Sequence, residues 1–287
     1  MNLLIQIVFY GLSLSMLYFL LSSGFSLIFG LMGVLNFSHG SMFMWGCYIA
    51  YFLYMSTGSI WAALLGGAIG IAVMGLLMER FLIRPLKGNH MNQILLTFGL
   101  IYVLDELAKI CFGTRAYIMT PPTWLQGSVP IFGENIPKYR FFMIAAGIVV
   151  FVLMNLLLKK TKLGLVIRAG IEKPRMVRAS GIDVQKIFAV TFGLGCALAG
   201  LGGAIATPFL GAYATIGTEQ IFNAIAVVII GGMGSFSGSF YASLILGFLQ
   251  YIVSYFVPEL SMACALVAML VVILLKPNGL FGGKKNG

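Results

Sequence analysis

Hydrophobic side chains run through this chain in long blocks separated by short polar segments. Leu, Ile, Val, Met, Phe and Ala fill segments at about 4–32, 41–56, 60–79, 92–112, 139–158, 187–207, 220–233, 239–256 and 260–275. Most approach the roughly 20 residues that an α-helix needs to cross a hydrocarbon core about 30 Å thick. They lack the ten-residue alternation of a transmembrane barrel, and within lipid a helix satisfies its own backbone amides. The pattern predicts an all-α, polytopic transmembrane helical bundle of eight to nine spans, or ten if the long first block divides.

Composition supports that reading and removes others. Of 287 residues, 60% are hydrophobic and 9% charged, too little polar surface to cover a soluble globule. Apart from His39, no acidic or basic side chain precedes Glu79. The N-terminal block lacks a basic lead and runs past residue 30, unlike a cleaved signal peptide. Cys47, Cys111, Cys196 and Cys264 stand singly, so neither a disulfide framework nor a metal site is expected, and no cofactor.

Charge then orients the bundle. Residues 79–90 carry Arg80, Arg84 and Lys87; the tail carries Lys276, Lys284 and Lys285. The stretch KKTKLGLVIRAGIEKPRMVRASGIDVQK, residues 159–186, holds eight basic side chains against Glu172 and Asp183, a net +6 of the chain's formal +10. Basic short loops favour the cytoplasmic side. Two spans separate residue 90 from 159 and four separate 186 from 276, so all three regions can share that side. Residues 113–138 then form an extracytoplasmic loop, short and ordered, with TPPTW and GSVP turns. This asymmetry explains the positive charge better than nucleic-acid binding does.

Two segments break the apolar pattern. In GLMGVLNFSHGSMFMWG the interruption is Asn36, Ser38, His39 and Gly40; in IIGGMGSFSGSFYASLILG it is Gly231, Gly232, Gly234 and Ser235, followed by Ser237 and Gly238. Such residues suit helices that unwind around a substrate path, and they equally suit tight loops at the membrane surface. His39 reads either as a substrate contact or as a pin for the break, and Asn36 likewise. Gly195, Ala199 and Gly203, like Gly66 and Gly70, recur at fourth positions that permit close helix packing.

The absences narrow the chemistry. No G-x-x-x-x-G-K-[ST], H-E-x-x-H or G-x-S-x-G occurs, so neither ATP binding by a phosphate loop nor a familiar hydrolytic site is expected. Ion-driven transporters place ionisable groups at mid-span. Here Asp105 has Lys109 four residues on as a partner, Glu219 sits at a helix start, and Glu259 follows Pro258 in a loop. Pro174 and Gly181 bracket a short helix in the basic stretch, and Asp183 can cap the helix after it.

At this point the chain resembles the LivH-type permeases of branched-chain amino acid ABC importers. The stretches GLMGVLNFSHGSMFMWGCYIAY, RFLIRPLKG, TKLGLVIRAGIEKPRMVRASGID, VVIIGGMGSFSGS and KPNGLFG stand in that family's order along nearly the whole chain. The resemblance implies one permease domain over 1–287 in a bacterial cytoplasmic (inner) membrane, with its C-terminus in the cytoplasm and no enzymatic activity. It also implies four partners: a second related permease, two cytoplasmic ATPase subunits and an extracytoplasmic amino-acid-binding protein. Residues 160–186 would then be the ATPase-coupling loop, with Gly164, Arg168, Ala169, Glu172, Pro174, Arg178, Gly181 and Asp183 in that role. Asn36, Ser38, His39 and Gly40 match the family's N-F-[AS]-H-G, and Gly231, Gly232, Gly234 and Ser235 its G-G-x-G-S. The chain departs from the family at Ser237, where Pro is common, and at Lys173, where an acid is frequent. Import of leucine, isoleucine or valine is the leading expectation. Urea or short amides within the family, and an ion-coupled secondary transporter outside it, are the alternatives.

Overall fold

The computed structural model describes residues 2–33, 35–86, 88–172 and 174–282. Each of the nine apolar blocks is one helix. These are α1 (Asn2–Met32), α2 (His39–Thr57), α3 (Ile60–Met78), α4 (His90–Phe112), α5 (Lys138–Lys160), α8 (Val184–Leu210), α9 (Ile216–Gly231), α10 (Phe236–Phe256) and α11 (Ser261–Leu275). Two further helices, α6 (Lys162–Glu172) and α7 (Pro174–Ala179), occupy the basic stretch. Among the described residues, five helical stretches are long and apolar enough to cross a membrane, and two shorter apolar helices accompany them. The protein is an all-α polytopic membrane protein. Ten of α2's 19 residues are buried, so this helix needs little lipid-compatible surface. The fourth helix carries Asp105, Glu106 and Lys109, which dilutes its apolar signal.

The first block does not divide. It is one 31-residue helix, and its serines explain how it stays whole. Ser13, Ser15, Ser22 and Ser23 each donate a hydroxyl to a carbonyl three or four residues back, at 2.8–3.3 Å. A serine satisfied in this way leaves the helix path intact. Gly33, at φ 68°, then ends the helix.

Close backbone approach organises the interior, as expected where lipid removes the hydrophobic drive between helices. The central helix is α8, packed on α1, α2 and α3. A Cβ on Gly195 would lie 2.8 Å from the Gly24 carbonyl, one on Gly200 2.4 Å from Gly67, and one on Gly203 2.2 Å from Phe43. Small residues therefore serve three faces of α8 rather than one. In α3 the contact with α8 runs through Gly67 and Gly75, whereas Gly66 and Gly70 meet side chains of Leu53 and Ile49 on α2.

At the end of α3 the helix widens into a π turn, Glu79–Ile83, then tightens into a 3₁₀ turn, Arg84–Leu86. Pro85 supplies the reason, because its ring cannot take the ordinary bond to the carbonyl four residues earlier. The Arg84 amide bonds to Glu79 instead, and its side chain reaches Glu79 Oε2 at 2.8 Å.

The 113–138 segment is ordered, as its turn signals suggest. It holds a two-stranded hairpin, β1 (Ser128–Ile131) and β2 (Glu134–Pro137), paired from Ser128↔Pro137 to Ile131↔Glu134. Phe132 and Gly133 turn the hairpin with φ 47° and 88°, the sign a two-residue hairpin loop favours. Tyr117 exchanges both backbone bonds with Ala212 at 2.9 Å, tying this segment to the α8–α9 connection.

Candidate functional site

Both interruptions of the apolar pattern are breaks between helices, and α9 touches both. The first lies between α1 and α2. Asn36, Ser38 and His39 there are 3%, 0% and 0% exposed. Ser38 Oγ donates to Asn36 Oδ1 at 2.7 Å, and His39 Nε2 donates to the Leu21 carbonyl at 3.1 Å. Asn36 Nδ2 and His39 Nδ1 are buried without a partner, which is unusual away from functional sites. Gly40 lies against the backbone of Gly217 at the start of α9, where a Cβ would come within 2.2 Å of the carbonyl.

The second break joins α9 to α10. Gly232 and Gly234, at φ 96° and 83°, make a turn that residues with a Cβ resist. Gly231 packs on the backbone of Gly238, and Gly234 faces Gly30 near the end of α1. Ser235 caps α10 by accepting from the Gly238 amide at 3.0 Å. Thus α9 runs from the first break, at Gly217, to the second, at Gly231.

Two partners of these breaks escape the sequence reading. One is the tail. The Leu280 amide donates to the Ile230 carbonyl at 2.7 Å, Gly279 and Gly282 lie against Gly232, and Phe281 sits 5.2 Å from the Tyr241 ring. The KPNGLFG motif therefore clasps the end of α9. The other partner is Asp105. Its carboxylate accepts from Ser41 Oγ at 2.9 Å and Thr218 Oγ1 at 3.1 Å, linking α4 to the starts of α2 and α9. Lys109 pairs with Glu106 at 2.6 Å rather than with Asp105. The expected i,i+4 pair is replaced because Asp105 faces the bundle while Glu106 and Lys109 face out. Glu219 sits in the first turn of α9 as expected, held by Tyr213 and Thr215 at 2.6 and 3.0 Å.

The basic stretch lies apart from the breaks' buried polar groups. Gly164 lets α6 fold tightly onto the end of α5, since a Cβ would fall 2.2 Å from the Leu157 carbonyl. Arg168 Nε donates back to Gly164 at 3.4 Å. Gly181 turns the chain at φ 75°, and Asp183 caps α8 by accepting from the Gln185 and Lys186 amides. Ala169, Leu165, Met176 and Val177 line an apolar groove of about 330 Å3 between α6 and α7. Leu165 and Met176 are 61% and 63% exposed. The side chains of Glu172, Pro174 and Arg178 lie outside the described ones, and Lys87, Lys173, Lys284 and Lys285 lie outside the described residues.

The π turn after α3, the start of α4, the end of α1 and the second break gather at one end of the bundle. Phe188, near the start of α8, lines a cavity with Glu79, Arg84 and His90. Gly33 approaches His90, and Gly234 approaches Gly30.

Residues 7–275 match the protein family described as branched-chain amino acid transport system, permease component. The chain is 24% identical over 293 residues to the high-affinity branched-chain amino acid transport system permease protein LivH of Salmonella typhimurium, covering 97% of this chain and 95% of that one. It is 28% identical over 294 residues to the corresponding protein BraD of Pseudomonas aeruginosa, covering 95% and 94%. The probable branched-chain amino acid transport permease protein LivH of Methanocaldococcus jannaschii is 26% identical, covering 92% and 88%. Among solved structures, PsaBC from Streptococcus pneumoniae in complex with Fab superposes with a TM-score of 0.53 over 95% of this chain and 92% of that one. At 11% identity this last likeness is one of fold.

Proposed function

Because this chain belongs to the branched-chain amino acid transport permease family, we propose that it forms a membrane pathway for leucine, isoleucine and valine, driven by ATP-hydrolysing partners. It is the permease subunit of an ABC importer, a transport component rather than an enzyme. The observation that carries the reading is the family match over residues 7–275. The names of the relatives favour branched-chain amino acids over urea or short amides. An ion-coupled mechanism loses its best candidate, since the Asp105 carboxylate is engaged by Ser41 and Thr218.

Nine helices cross the membrane in this proposal, with α6 and α7 lying on its cytoplasmic surface. The basic end is cytoplasmic, which puts the C-terminus inside and the start of α1 outside. Support comes from Arg80 and Arg84 just after α3 and from Lys159, Lys160 and Lys162 where α5 meets α6, since basic short loops favour the cytoplasmic side. Asn36, Ser38, His39, Gly40, Gly231, Gly232, Gly234 and Ser235 border the substrate path, and α9 is the element that moves. The buried orphan atoms of Asn36 and His39 support this, as does the contact of α9 with both breaks.

Residues 160–186 form the coupling loop, with Gly164, Arg168, Ala169, Glu172, Pro174, Arg178, Gly181 and Asp183 shaping it. The exposed apolar groove between α6 and α7 offers a surface for a soluble ATPase. A second permease of this family and an extracytoplasmic amino-acid-binding protein complete the assembly. Deleting the gene should abolish leucine uptake at low concentration in a strain with no second system, and unchanged uptake would refute the reading. Gradient-driven uptake by the purified chain alone in liposomes would favour the secondary transporter instead.

A further inference from the structure

At the end of the bundle away from the basic loops, Arg140 stands in the first turn of α5 without a carboxylate. The ion pairs among the described residues are Arg84–Glu79, Lys109–Glu106 and Lys186–Asp183. The Arg140 guanidinium lies 3.7 Å from the Tyr10 ring centroid and 5.0 Å from that of Phe209. One nitrogen donates to Ser13 Oγ at 2.8 Å, which leaves further N–H donors of its planar fork free. A half-buried cation at a helix N-terminus adds to the positive end of the helix dipole, so the local field favours an anion.

That cation opens onto a cavity of about 300 Å3 lined by Tyr10, Leu14, Arg140, Gln220, Gln250 and Tyr251. The size is at the small end for ligand pockets and suits a molecule of a few heavy atoms. Gln250 Oε1 is buried without a partner, an unfilled acceptor in the same space as the unfilled donors. Gln220 and Gln250 also border an adjoining cavity of about 420 Å3 that reaches Glu219. The cavities thus offer a cationic fork, an acceptor and apolar wall, in the pattern of a zwitterion carrying a hydrocarbon side chain.

We propose that this cavity is an entry site for an apolar α-amino acid, a proposal that rests on the amino acid reading above. Arg140 takes the main-chain carboxylate through paired N–H donors, the geometry guanidinium offers to carboxylates. Gln250 Oε1 accepts from the ammonium group, and Leu14 with its neighbours receives the side chain. A free amino acid is favoured over an acidic side chain of a docked protein, because Arg140 and Gln250 line one small cavity that offers both a donor and an acceptor.

The test uses the full chain in lipid nanodiscs, with saturation-transfer NMR reading weak binding of leucine. In the wild type, leucinamide, which lacks the carboxylate, should displace leucine at least about tenfold less well than valine does. Arg140→Gln should weaken leucine binding by about tenfold or more and erase the discrimination against leucinamide, while Arg140→Lys should retain part of both. Equal displacement by leucinamide and valine in the wild type would overturn the proposal, and this arm does not depend on how any variant folds. Unchanged leucine binding in Arg140→Gln would also overturn it, including where only docking of the binding protein is lost. Failure here with leucine uptake still dependent on the gene sinks the site alone, whereas gene-independent uptake sinks the amino acid reading itself.

Discussion

His39 joins a structural contact to a proposed place on the substrate path. Its Nε2 pins the start of α2 to the Leu21 carbonyl of α1, while Nδ1 remains buried and unpaired. Interhelical hydrogen bonds in membranes contribute about 0.6–1.7 kcal/mol. His39→Leu should lower thermal stability in detergent by that order, and His39→Gln, which can still donate, should lose less. Equal loss of uptake in both variants with unchanged melting would assign the ring to substrate rather than to the pin. The sequence brought His39 to attention because it is the only charge-capable basic side chain before Arg80. It could not decide between the two roles, since the deciding partner is a backbone carbonyl 18 residues away. Arg140 escaped attention for a related reason. An arginine flanking an apolar block reads as a surface anchor, and only the packing reveals that it lacks a carboxylate.

Among the elements, the helices were legible because lipid demands long apolar blocks, and each of the nine blocks became one helix. Less legible was which small residues touch, because period alone does not identify the neighbouring backbone. Gly203 meets the Phe43 carbonyl, whereas Gly99 in α4 has open space around it. Gly203→Ala should therefore cost about 1–3 kcal/mol through overpacking, and Gly99→Ala should be neutral or gain up to about 1 kcal/mol from helix propensity. Melting of the two purified variants checks the pair. The bracketed helix at Pro174–Ala179 was readable from its terminal residues, but α6 was not, since its 11 residues follow α5 after a single intervening residue, Thr161. Gly181, at φ 75°, occupies a conformation closed to proline, whose φ is fixed near −65°. Gly181→Pro should leave ATP hydrolysis by the assembled complex running while leucine uptake falls at least several-fold. Glu172→Lys is expected to act in the same direction. Coupled uptake preserved in both variants would remove this loop from the mechanism.

For the molecule as a whole, the connections between distant segments decide the shape. Parity of basic loops predicts one basic end, because charge sidedness is written locally in each loop. The contact of the second break with the end of α1 through Gly30 and Gly234, and the three-helix link at Asp105, join residues far apart in sequence and carry no periodic signal. The tail belongs to the same class. Removing residues 278–287 frees the Ile230 carbonyl and uncovers Gly232, so the truncated chain should melt several degrees below the full one while α1 to α8 still assemble. Equal melting temperatures would show the clasp to be dispensable.

The clasp also has a bearing on biosynthesis. Leu280 closes on Ile230 across about 50 residues of chain, and synthesis proceeds at roughly 5–20 residues per second. The end of α9 therefore emerges several seconds before the segment that secures it, and in that interval the glycine turn at 232–234 has no cover. A nascent chain released early would carry every buried polar group of the first break but an open hinge at the second. A copy that stops before Leu280 should therefore be cut by added protease near residues 231–235 faster than one that carries the clasp, and equal cutting would show that the clasp does not cover the turn.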